Sequence, residues 1–378
     1  MTRFPGIVGR YLYPARVVPP SRHNLERIAA SLAASYTRGD VASAGPAAVG
    51  IDVSDACNIA CAICAREIDW DRRKRTFVSL DDFRHVYDQI RPVYLSLSGY
   101  GETLLNKHLP EMVGHATRAG SVVQLITNGT LLDDTRADAL LEADLSKLKV
   151  SIDAADPVRY ARVREGADLD VVVRNIEKLM QKRDAQRRPG PLVEVQCTLF
   201  RDNIDQIEGI LELCRGRLHG VEPYFHVMFT YGEQEGFVAR TLPAGDAEGL
   251  ERLRAAIPLA RRYGFVRAAR ALQTAITQLT EDLSQAPCYV PWYSCIISTD
   301  GDVYPCCYHT VRGTRVGNVY ERPFAEIWNG EAMQQFRSRL RSRRCEDNVC
   351  ATCRYDDVPM ERVFGVAARV PGLARTPR

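Results

Sequence analysis

The amino-acid sequence predicts an α/β protein built on a mainly parallel sheet. Between Ala47 and about Phe229, six apolar runs that are typical of strands alternate with helix-like stretches. This alternation indicates a parallel sheet, either open or partly closed into a barrel, with its functional site at the carboxyl ends of the strands. The predicted strands cover residues 48–53, 93–98, 122–127, 148–152, 192–199 and 224–229. The predicted helices between them cover residues 81–90, 109–119, 135–142, 171–182 and 204–214.

Composition and charge are those of an ordinary globular protein. The chain has 378 residues, of which 46% are hydrophobic and 26% charged, and its formal net charge is +3. This balance does not indicate a nucleic-acid partner. The start has no charged-then-apolar signal pattern, and no run of about 18 apolar residues occurs, so we expect a cytoplasmic protein without a membrane partner.

The pattern changes along the chain and predicts five segments. Residues 1–45 form an amino-terminal extension, and residues 46–230 carry the strand–helix alternation. Residues 231–285 read as a helical connector. Residues 286–358, in which Cys, Tyr, Pro and Gly concentrate, predict a small metal-organised unit that we call the carboxyl-terminal module. Residues 359–378 form a basic tail.

Three cysteines in eight residues follow the first predicted strand. Cys57, Cys61 and Cys64 are spaced Cys-x3-Cys-x2-Cys, and clustered cysteines in a reducing compartment are typical of metal ligands. A closed iron–sulfur cluster or a structural zinc site takes four protein ligands, so three leave one metal position open for chemistry. The spacing alone also allows a zinc loop with a distant fourth ligand, or buried structural thiols.

Three further motifs follow the next three predicted strands. They are Ser98-Gly99-Tyr100-Gly101-Glu102, Thr127-Asn128-Gly129 and Ser151-Ile152-Asp153-Ala154. The two glycines of the first motif let the backbone approach a ligand closely, and Glu102 is suited to accept hydrogen bonds from an ammonium group. Taken singly these signals are weak, because glycine-rich turns are common and Asp153 is also suited to cap a helix.

Taken together, the four motifs resemble the radical S-adenosylmethionine (SAM) superfamily over about residues 47–230. The resemblance implies a partial (β/α)6 barrel and a 4Fe–4S cluster on Cys57, Cys61 and Cys64, with SAM chelating the open iron. It also implies an external reductant such as flavodoxin or ferredoxin. Reductive cleavage of SAM would give a 5′-deoxyadenosyl radical, and this radical would abstract a hydrogen atom from the substrate. The SAM-binding residues that it implies are Gly99, Gly101, Glu102, Asn128, Ser151 and Asp153.

The second cysteine group resembles the Twitch/SPASM extension of radical SAM enzymes. The pattern Cys288-x12-Gly301-x4-Cys306, followed by Cys350-x2-Cys353, matches that family over about residues 286–356. The resemblance implies one auxiliary 4Fe–4S cluster on Cys288, Cys306, Cys350 and Cys353, since the Cys-x2-Cys-x5-Cys-x3-Cys run of the two-cluster form is absent. Three cysteines remain as alternate ligands, namely Cys295, Cys307 and Cys345, and a zinc ribbon on the same residues stays open.

Two predicted strands supply candidate substrate residues. In residues 192–199, Glu194 and Gln196 share the face that we expect to line the barrel, whereas Cys197 lies on the opposite face. Cys197 is therefore expected to pack against helices, and it stays a candidate hydrogen donor. His226, in the sixth strand, is a candidate for substrate contact or proton transfer.

The single auxiliary cluster favours a small-molecule substrate, by analogy of module alone. Through its resemblance to aminocyclitol and sugar dehydrogenases and epimerases of aminoglycoside pathways, the chain is expected to be an oxidoreductase or epimerase of antibiotic biosynthesis. It would act on a hydroxyl-bearing carbon of a sugar or aminocyclitol. The alternative is a peptide-modifying radical SAM/SPASM enzyme. A non-enzymatic electron carrier is a third possibility, which the SAM motifs disfavour.

Overall fold

The computed structural model describes residues 21–68, 76–228, 238–283, 287–311, 313–342, 349–350 and 353. Within these ranges the strands form one nine-stranded sheet and one two-stranded sheet, and the smaller sheet pairs β2 (Ala60–Cys61) with β6 (Arg164–Glu165). The strands of the large sheet that precede the module are β1 (Ala48–Asp52), β3 (Tyr94–Ser98), β4 (Val122–Thr127), β5 (Lys147–Ser151), β7 (Leu192–Leu199) and β8 (Pro223–Val227). These six are parallel and lie in chain order, which confirms the predicted α/β fold.

The helices of the described ranges follow the predicted alternation. They are α1 (Arg22–Thr37), α2 (Ala65–Ile68), α3 (Leu80–Ile90), α4 (Leu109–Arg118), α5 (Asp134–Glu142), α6 (Pro157–Val163), α7 (Leu169–Ala185), α8 (Ile207–Arg215), α9 (Ala247–Arg262), α10 (Val266–Thr280), α11 (Phe324–Trp328) and α12 (Glu331–Arg341). Polar side chains cap the amino-terminal ends of several helices. Ser79 caps α3, Asp133 caps α5 and Asp168 caps α7, and each accepts a hydrogen bond from a backbone N–H of the first turn. None of the helices in the part of the chain that the structure describes is long and apolar enough to cross a membrane.

The parallel strands have one apolar face and one polar face. In β3, Leu95 and Leu97 are fully buried in the main core, whereas Tyr94, Ser96 and Ser98 alternate with them and are half-buried. We call the polar side the inner face. Because side chains alternate along a strand, its polar residues come from matching positions of neighbouring strands.

The carboxyl-terminal module extends this sheet. Its strand β9 (Ser294–Ile297) pairs in parallel with β1, and β10 (Asp302–Tyr304) and β11 (Gly317–Asn318) continue the sheet in antiparallel fashion. Gly301 turns the chain between β9 and β10 with a φ of +82°, a conformation that favours glycine. The sheet therefore crosses the segment boundary that we placed at residue 286, because alternation reveals a strand but not its partner.

The segment between α1 and β1 is held by the module. The indole of Trp292 donates to the carbonyl of Gly39 at 2.7 Å, and the indole of Trp328 donates to the carbonyl of Ala44 at 2.9 Å. Asn329 exchanges two hydrogen bonds with the backbone of Ala42. The chain just before β1 is thus fastened to the carboxyl-terminal module by four hydrogen bonds.

Candidate active site

The three-cysteine loop follows β1 and is held by a short second sheet. Its strand β2 (Ala60–Cys61) pairs with β6 (Arg164–Glu165), which follows α6. The Ala62 N–H donates to the Val163 carbonyl at 2.9 Å, and the Cys64 N–H donates to the Cys61 carbonyl at 3.1 Å. The cysteine loop is therefore fixed against the segment that follows β5, at the carboxyl end of the parallel strands.

The three thiols lie within electrostatic reach of one another. Burial raises the pKa of Cys61 to about 12, Arg164 opposes this, and the charges of Cys64 and Cys57 add to the rise. Binding to iron would deprotonate the three thiols, and the positive charge of the iron would offset the repulsion between the thiolates. Within the described residues, no group of three or more His, Cys, Asp or Glu side chains is arranged around a single ion. The fit to a cluster thus depends on the donor chemistry and proximity of the thiols.

The two glycines after β3 allow the cysteine loop to approach. A Cβ on Gly99 would overlap the Ser54 carbonyl oxygen, and a Cβ on Gly101 would overlap the backbone of Ala56. The Gly101 N–H donates to the Ser54 carbonyl at 2.9 Å, and the Glu102 N–H donates to the Ala56 carbonyl at 2.7 Å. The structure shows that these glycines let two backbone segments pack closely, and their predicted approach to a ligand stays a prediction.

The Glu102 carboxylate lies buried between β3 and β4. Its two oxygens accept hydrogen bonds from the Thr127 hydroxyl at 2.6 Å, the Asn128 N–H at 2.7 Å and the Leu104 N–H at 2.9 Å. Burial raises the pKa of Glu102, and all three of these bonds act against that rise. Glu102 therefore positions the end of β4, and its binding of the SAM amino group stays a prediction.

Asn128 joins the end of β4 to the cysteine loop. Its side-chain amide donates to Asn58 Oδ1 at 3.0 Å, and Asn58 in turn donates to the Thr130 hydroxyl at 2.8 Å. Ser151 ends β5 on the inner face and is half-buried. The structure thus brings Asn128 and Ser151 to the same end of the sheet as the cysteines.

Asp153 is buried in an ion pair with Arg164, which also reaches Cys61, one of the predicted cluster ligands. Its Oδ2 accepts two hydrogen bonds from Arg164, at 2.8 Å from Nε and 2.6 Å from Nη2, and its Oδ1 accepts the Thr198 N–H at 2.8 Å. The Arg164 Nη1 lies 3.7 Å from the Cys61 sulfur. We expected Asp153 to contact SAM and did not single out Arg164. The eleven-residue separation of Asp153 and Arg164 matches no known sequence pattern. The two residues meet only because Arg164 lies on β6.

Glu194 lies on the inner face among three cations. Its carboxylate is 3.1 Å from Lys147 Nζ and 3.2 Å from Lys149 Nζ, and it also contacts the guanidinium of Arg267 from α10. Only 1% of the Glu194 side chain is exposed. The sequence predicted a substrate contact here, and the structure places the carboxylate in an internal ion network instead.

Replacing Glu194 by Gln is expected to destabilise the fold. The substitution keeps the shape but removes the charge that Lys147, Lys149 and Arg267 share, and breaking a buried ion pair costs about 3–5 kcal/mol. Guanidinium unfolding should show a loss of at least about 2 kcal/mol, whereas Glu208→Gln, on the exposed face of α8, should stay within about 0.5 kcal/mol of the unmodified chain. Equal stabilities for both variants would contradict the network.

The remaining predicted substrate residues divide between the two faces. Gln196 is half-buried on the inner face, opposite Tyr224 of β8. The half-buried His226 lies opposite Thr198, with its Nε2 3.1 Å from the Thr198 hydroxyl. Cys197 is fully buried in the main core, on the helix side, and burial raises its pKa far above the ordinary value. Its position argues against a role as hydrogen donor, and agrees with the packing that strand parity predicted.

Asp52 is an acidic residue of the inner face that the sequence pattern did not reveal. It ends β1, is 6% exposed and accepts a hydrogen bond from the Ser98 hydroxyl at 3.2 Å. Burial, with a contribution from the charge of Asp55, raises the pKa of Asp52 to about 7. A carboxyl at the end of an otherwise apolar strand is the signal that could have identified it.

The raised pKa of Asp52 predicts a pH-dependent stability. The folded chain holds this proton up to about pH 7, whereas an unfolded Asp releases it near 3.8, so stability falls as pH rises through that window. Asp52→Asn should remove this loss. Between pH 5 and pH 8 the variant should gain about 2–3 kcal/mol relative to the unmodified chain in guanidinium unfolding. Parallel pH profiles for the two proteins would show that Asp52 ionises normally.

The second cysteine group is partly assembled. Burial raises the pKa of Cys306 far above the ordinary value, with further contributions from Cys307, Cys288 and Cys353, which places these thiols near one another. The Cys353 N–H donates to the Cys350 carbonyl at 3.3 Å, as expected for a tight Cys-x2-Cys turn. Of the alternate ligands, Cys295 is buried in the main core on β9 and Cys307 is exposed. Cys345 lies outside the described residues.

Two side-chain contacts join the module to the first site. The Thr299 hydroxyl donates to Asp55 at 2.5 Å, and Asp55 lies two residues before Cys57. The Tyr100 hydroxyl lies 2.5 Å from the Thr310 hydroxyl, which itself donates to the Cys307 carbonyl at 2.7 Å. Around Tyr100 a small apolar group, which we call the mouth cluster, covers the carboxyl end of the strands; it contains Ile63, Ala65, Tyr100, Val163, Phe200, Met228 and Val311.

Two family models match the segments that contain the two cysteine groups. The model of the radical SAM superfamily matches residues 51–214, and the model of the iron–sulfur cluster-binding domain SPASM matches residues 288–354. Both matches fall on the segments that the motifs had indicated. They establish SAM and a 4Fe–4S cluster as cofactors of the first domain and auxiliary iron–sulfur binding for the second.

Individual relatives cover most of the chain. A PqqA peptide cyclase of Xanthomonas oryzae pv. oryzae is 29% identical over 304 residues, which cover 77% of each protein. An AdoMet-dependent heme synthase of Methanosarcina barkeri is 26% identical over 335 residues, which cover 82% of this chain and 91% of the relative. In fold, Streptococcus suis SuiB bound to the precursor peptide SuiA superposes with a TM-score of 0.62 at 15% identity, covering 88% of this chain and 76% of SuiB.

Proposed function

The chain is a radical SAM enzyme that carries a SPASM iron–sulfur domain, and we propose that its substrate is a peptide. The observation that carries this proposal is the similarity to the PqqA peptide cyclase, which extends over 77% of both chains. The likeness to SuiB, a protein solved with a precursor peptide, concerns the fold and agrees with a site of this kind.

The residues of the first site would hold the cluster and SAM. Cys57, Cys61 and Cys64 would bind the cluster through three thiolates, and Asn128 and Ser151 would line the space for SAM beside it. When bound, the cluster and SAM supply a radical that takes a hydrogen atom from a C–H bond of the substrate. The chain itself would fix the cysteine loop through β6 and keep water from the strand ends with the mouth cluster.

The second domain would hold one auxiliary cluster through Cys288, Cys306, Cys350 and Cys353. The contacts Asp55–Thr299 and Tyr100–Thr310 would hold this domain against the first site. A cluster placed there is suited to exchange an electron with a substrate radical, which a zinc ion cannot do.

The peptide proposal replaces our first expectation of a sugar or aminocyclitol substrate. That expectation depended on the single auxiliary cluster, and the relatives with sequence similarity do not support oxidation or epimerisation of a sugar. On the inner face, Glu194, which we had expected to be a substrate residue, is engaged in ion pairs with Lys147 and Lys149.

Substrate-dependent cleavage of SAM tests the proposal. Anaerobically reconstituted, reduced enzyme should form 5′-deoxyadenosine faster in the presence of a random peptide library, and mass spectrometry should find peptides that have lost two hydrogens, as a new internal cross-link requires. A matched panel of sugars and aminocyclitols should leave the rate unchanged. Acceleration by the sugar panel alone would reject the peptide proposal, and a Cys64→Ser protein provides the inactive control.

A further inference from the structure

A buried histidine lies next to a cysteine of the second group. His309 ends a short 3₁₀ turn (Cys307–His309) and is fully buried. Its ring packs edge-on against Phe336 of α12, with 5.0 Å between ring centroids and 89° between ring planes. A Cβ at Gly313 would overlap His309, so the following backbone closes tightly around the imidazole. The ring therefore has a fixed position and orientation.

The hydrogen bonds of His309 define which nitrogen carries the proton. The Thr314 N–H donates to Nδ1 at 2.9 Å, so Nδ1 acts as an acceptor. In a neutral imidazole the other nitrogen then bears the hydrogen. That nitrogen, Nε2, lies 3.4 Å from the Cys350 sulfur, a distance suited to an N–H···S hydrogen bond.

We propose that His309 is a positioning residue that donates its Nε2–H to the Cys350 thiolate of the auxiliary cluster and raises the reduction potential of that cluster. The inference rests on the proposed ligand set. Hydrogen bonds to cysteine sulfur stabilise the more negative, reduced state of an iron–sulfur cluster, and partners just outside the ligands hold those ligands in place. A neutral donor does this without adding a charge to a buried site.

The packing around His309 favours a role as hydrogen-bond donor over a role as cluster ligand. His309 is held from the Nδ1 side by the Thr314 backbone, and Phe336 packs against its ring. Four thiolates, from Cys288, Cys306, Cys350 and Cys353, already suffice to close a cluster. His309 therefore acts through Cys350 and does not replace it.

The test uses the full-length chain with the first cluster removed. In a background of Cys57→Ala, Cys61→Ala and Cys64→Ala, reconstituted protein should hold about four irons per chain, as one cluster does. His309→Phe, which preserves a flat ring and removes the donor, should keep this iron. Its midpoint potential, followed by EPR in a redox titration, should fall by the equivalent of about tenfold in the equilibrium constant, or about 59 mV for one electron. His309→Gln, which offers an amide donor, should recover part of the shift.

The controls distinguish the possible failures. His85→Phe, on the exposed face of α3, should leave the potential unchanged. An unchanged potential in His309→Phe with iron retained would overturn the inference, and so would a loss of iron in both His309 variants, because that result marks a ligand. If the triple-alanine background binds no iron while the unmodified chain still cleaves SAM, the auxiliary ligand set fails together with this inference, and the radical SAM site stands.

Discussion

Replacing Cys61 by Ala is expected to abolish cleavage of SAM. Iron should fall from about eight to about four per chain, since only the auxiliary cluster would remain. Two thiolates do not hold a four-iron cluster in place, and without it no electron reaches the sulfonium. Anaerobic reconstitution followed by iron and sulfide analysis, with 5′-deoxyadenosine measured by chromatography, checks both parts of the expectation.

Two matched variants sharpen this prediction. Cys306→Ala should also lower iron to about four per chain, yet it should still form 5′-deoxyadenosine, because the first cluster is intact. Cys214→Ala, in the buried core of α8, should retain about eight irons and full cleavage. If Cys61→Ala keeps eight irons, the three-cysteine loop is not the cluster site.

Replacing Arg164 by Met is expected to be the most destabilising single change outside the apolar core. The substitution leaves the fully buried Asp153 carboxylate with the Thr198 N–H and without its two charge-assisted bonds. Removing one partner of a buried ion pair costs about 3–5 kcal/mol, a large part of the 5–15 kcal/mol that stabilises a typical domain. Guanidinium unfolding monitored by circular dichroism measures the loss.

The same pair allows a double-mutant cycle. Asp153→Leu combined with Arg164→Met removes both charges, so the double variant should be more stable than Arg164→Met alone. Arg162→Met, on the exposed side of α6, is the matched control and should change stability by less than about 0.5 kcal/mol. Simple additivity of the two single losses would show that Asp153 and Arg164 do not stabilise each other.

The six parallel strands were predictable because each is a short apolar run with polar boundaries. The predicted and observed strands differ by at most two residues at either end; the last one, for example, was expected at residues 224–229 and lies at Pro223–Val227. Motif positions were predictable for the same reason, since residues that follow parallel strands meet at one edge.

Partners across the sheet were not predictable from the sequence. Alternation identified Glu194 as an inner-face residue but gave no sign of Lys147, Lys149 and Arg267 around it, because those neighbours come from another strand and a distant helix. The pairing of Arg164 with Asp153 depends on β6, a strand of only two residues. Two-residue strands and ion pairs between distant residues produce no periodicity in the sequence, so they could not be predicted from it.

The pairing of β1 with β9 also bears on how the chain is made. Ala48 pairs with Ser294, about 246 residues later, and a ribosome adding ~5–20 residues per second needs on the order of 12–50 s to cover that distance. During this interval one edge of a buried, apolar strand lacks its native neighbour, and exposed strand edges are templates for aggregation. We therefore expect the nascent sheet to expose this edge until about the last quarter of the chain emerges, and a chain that stops before Ser294 to aggregate rather than fold as a smaller enzyme.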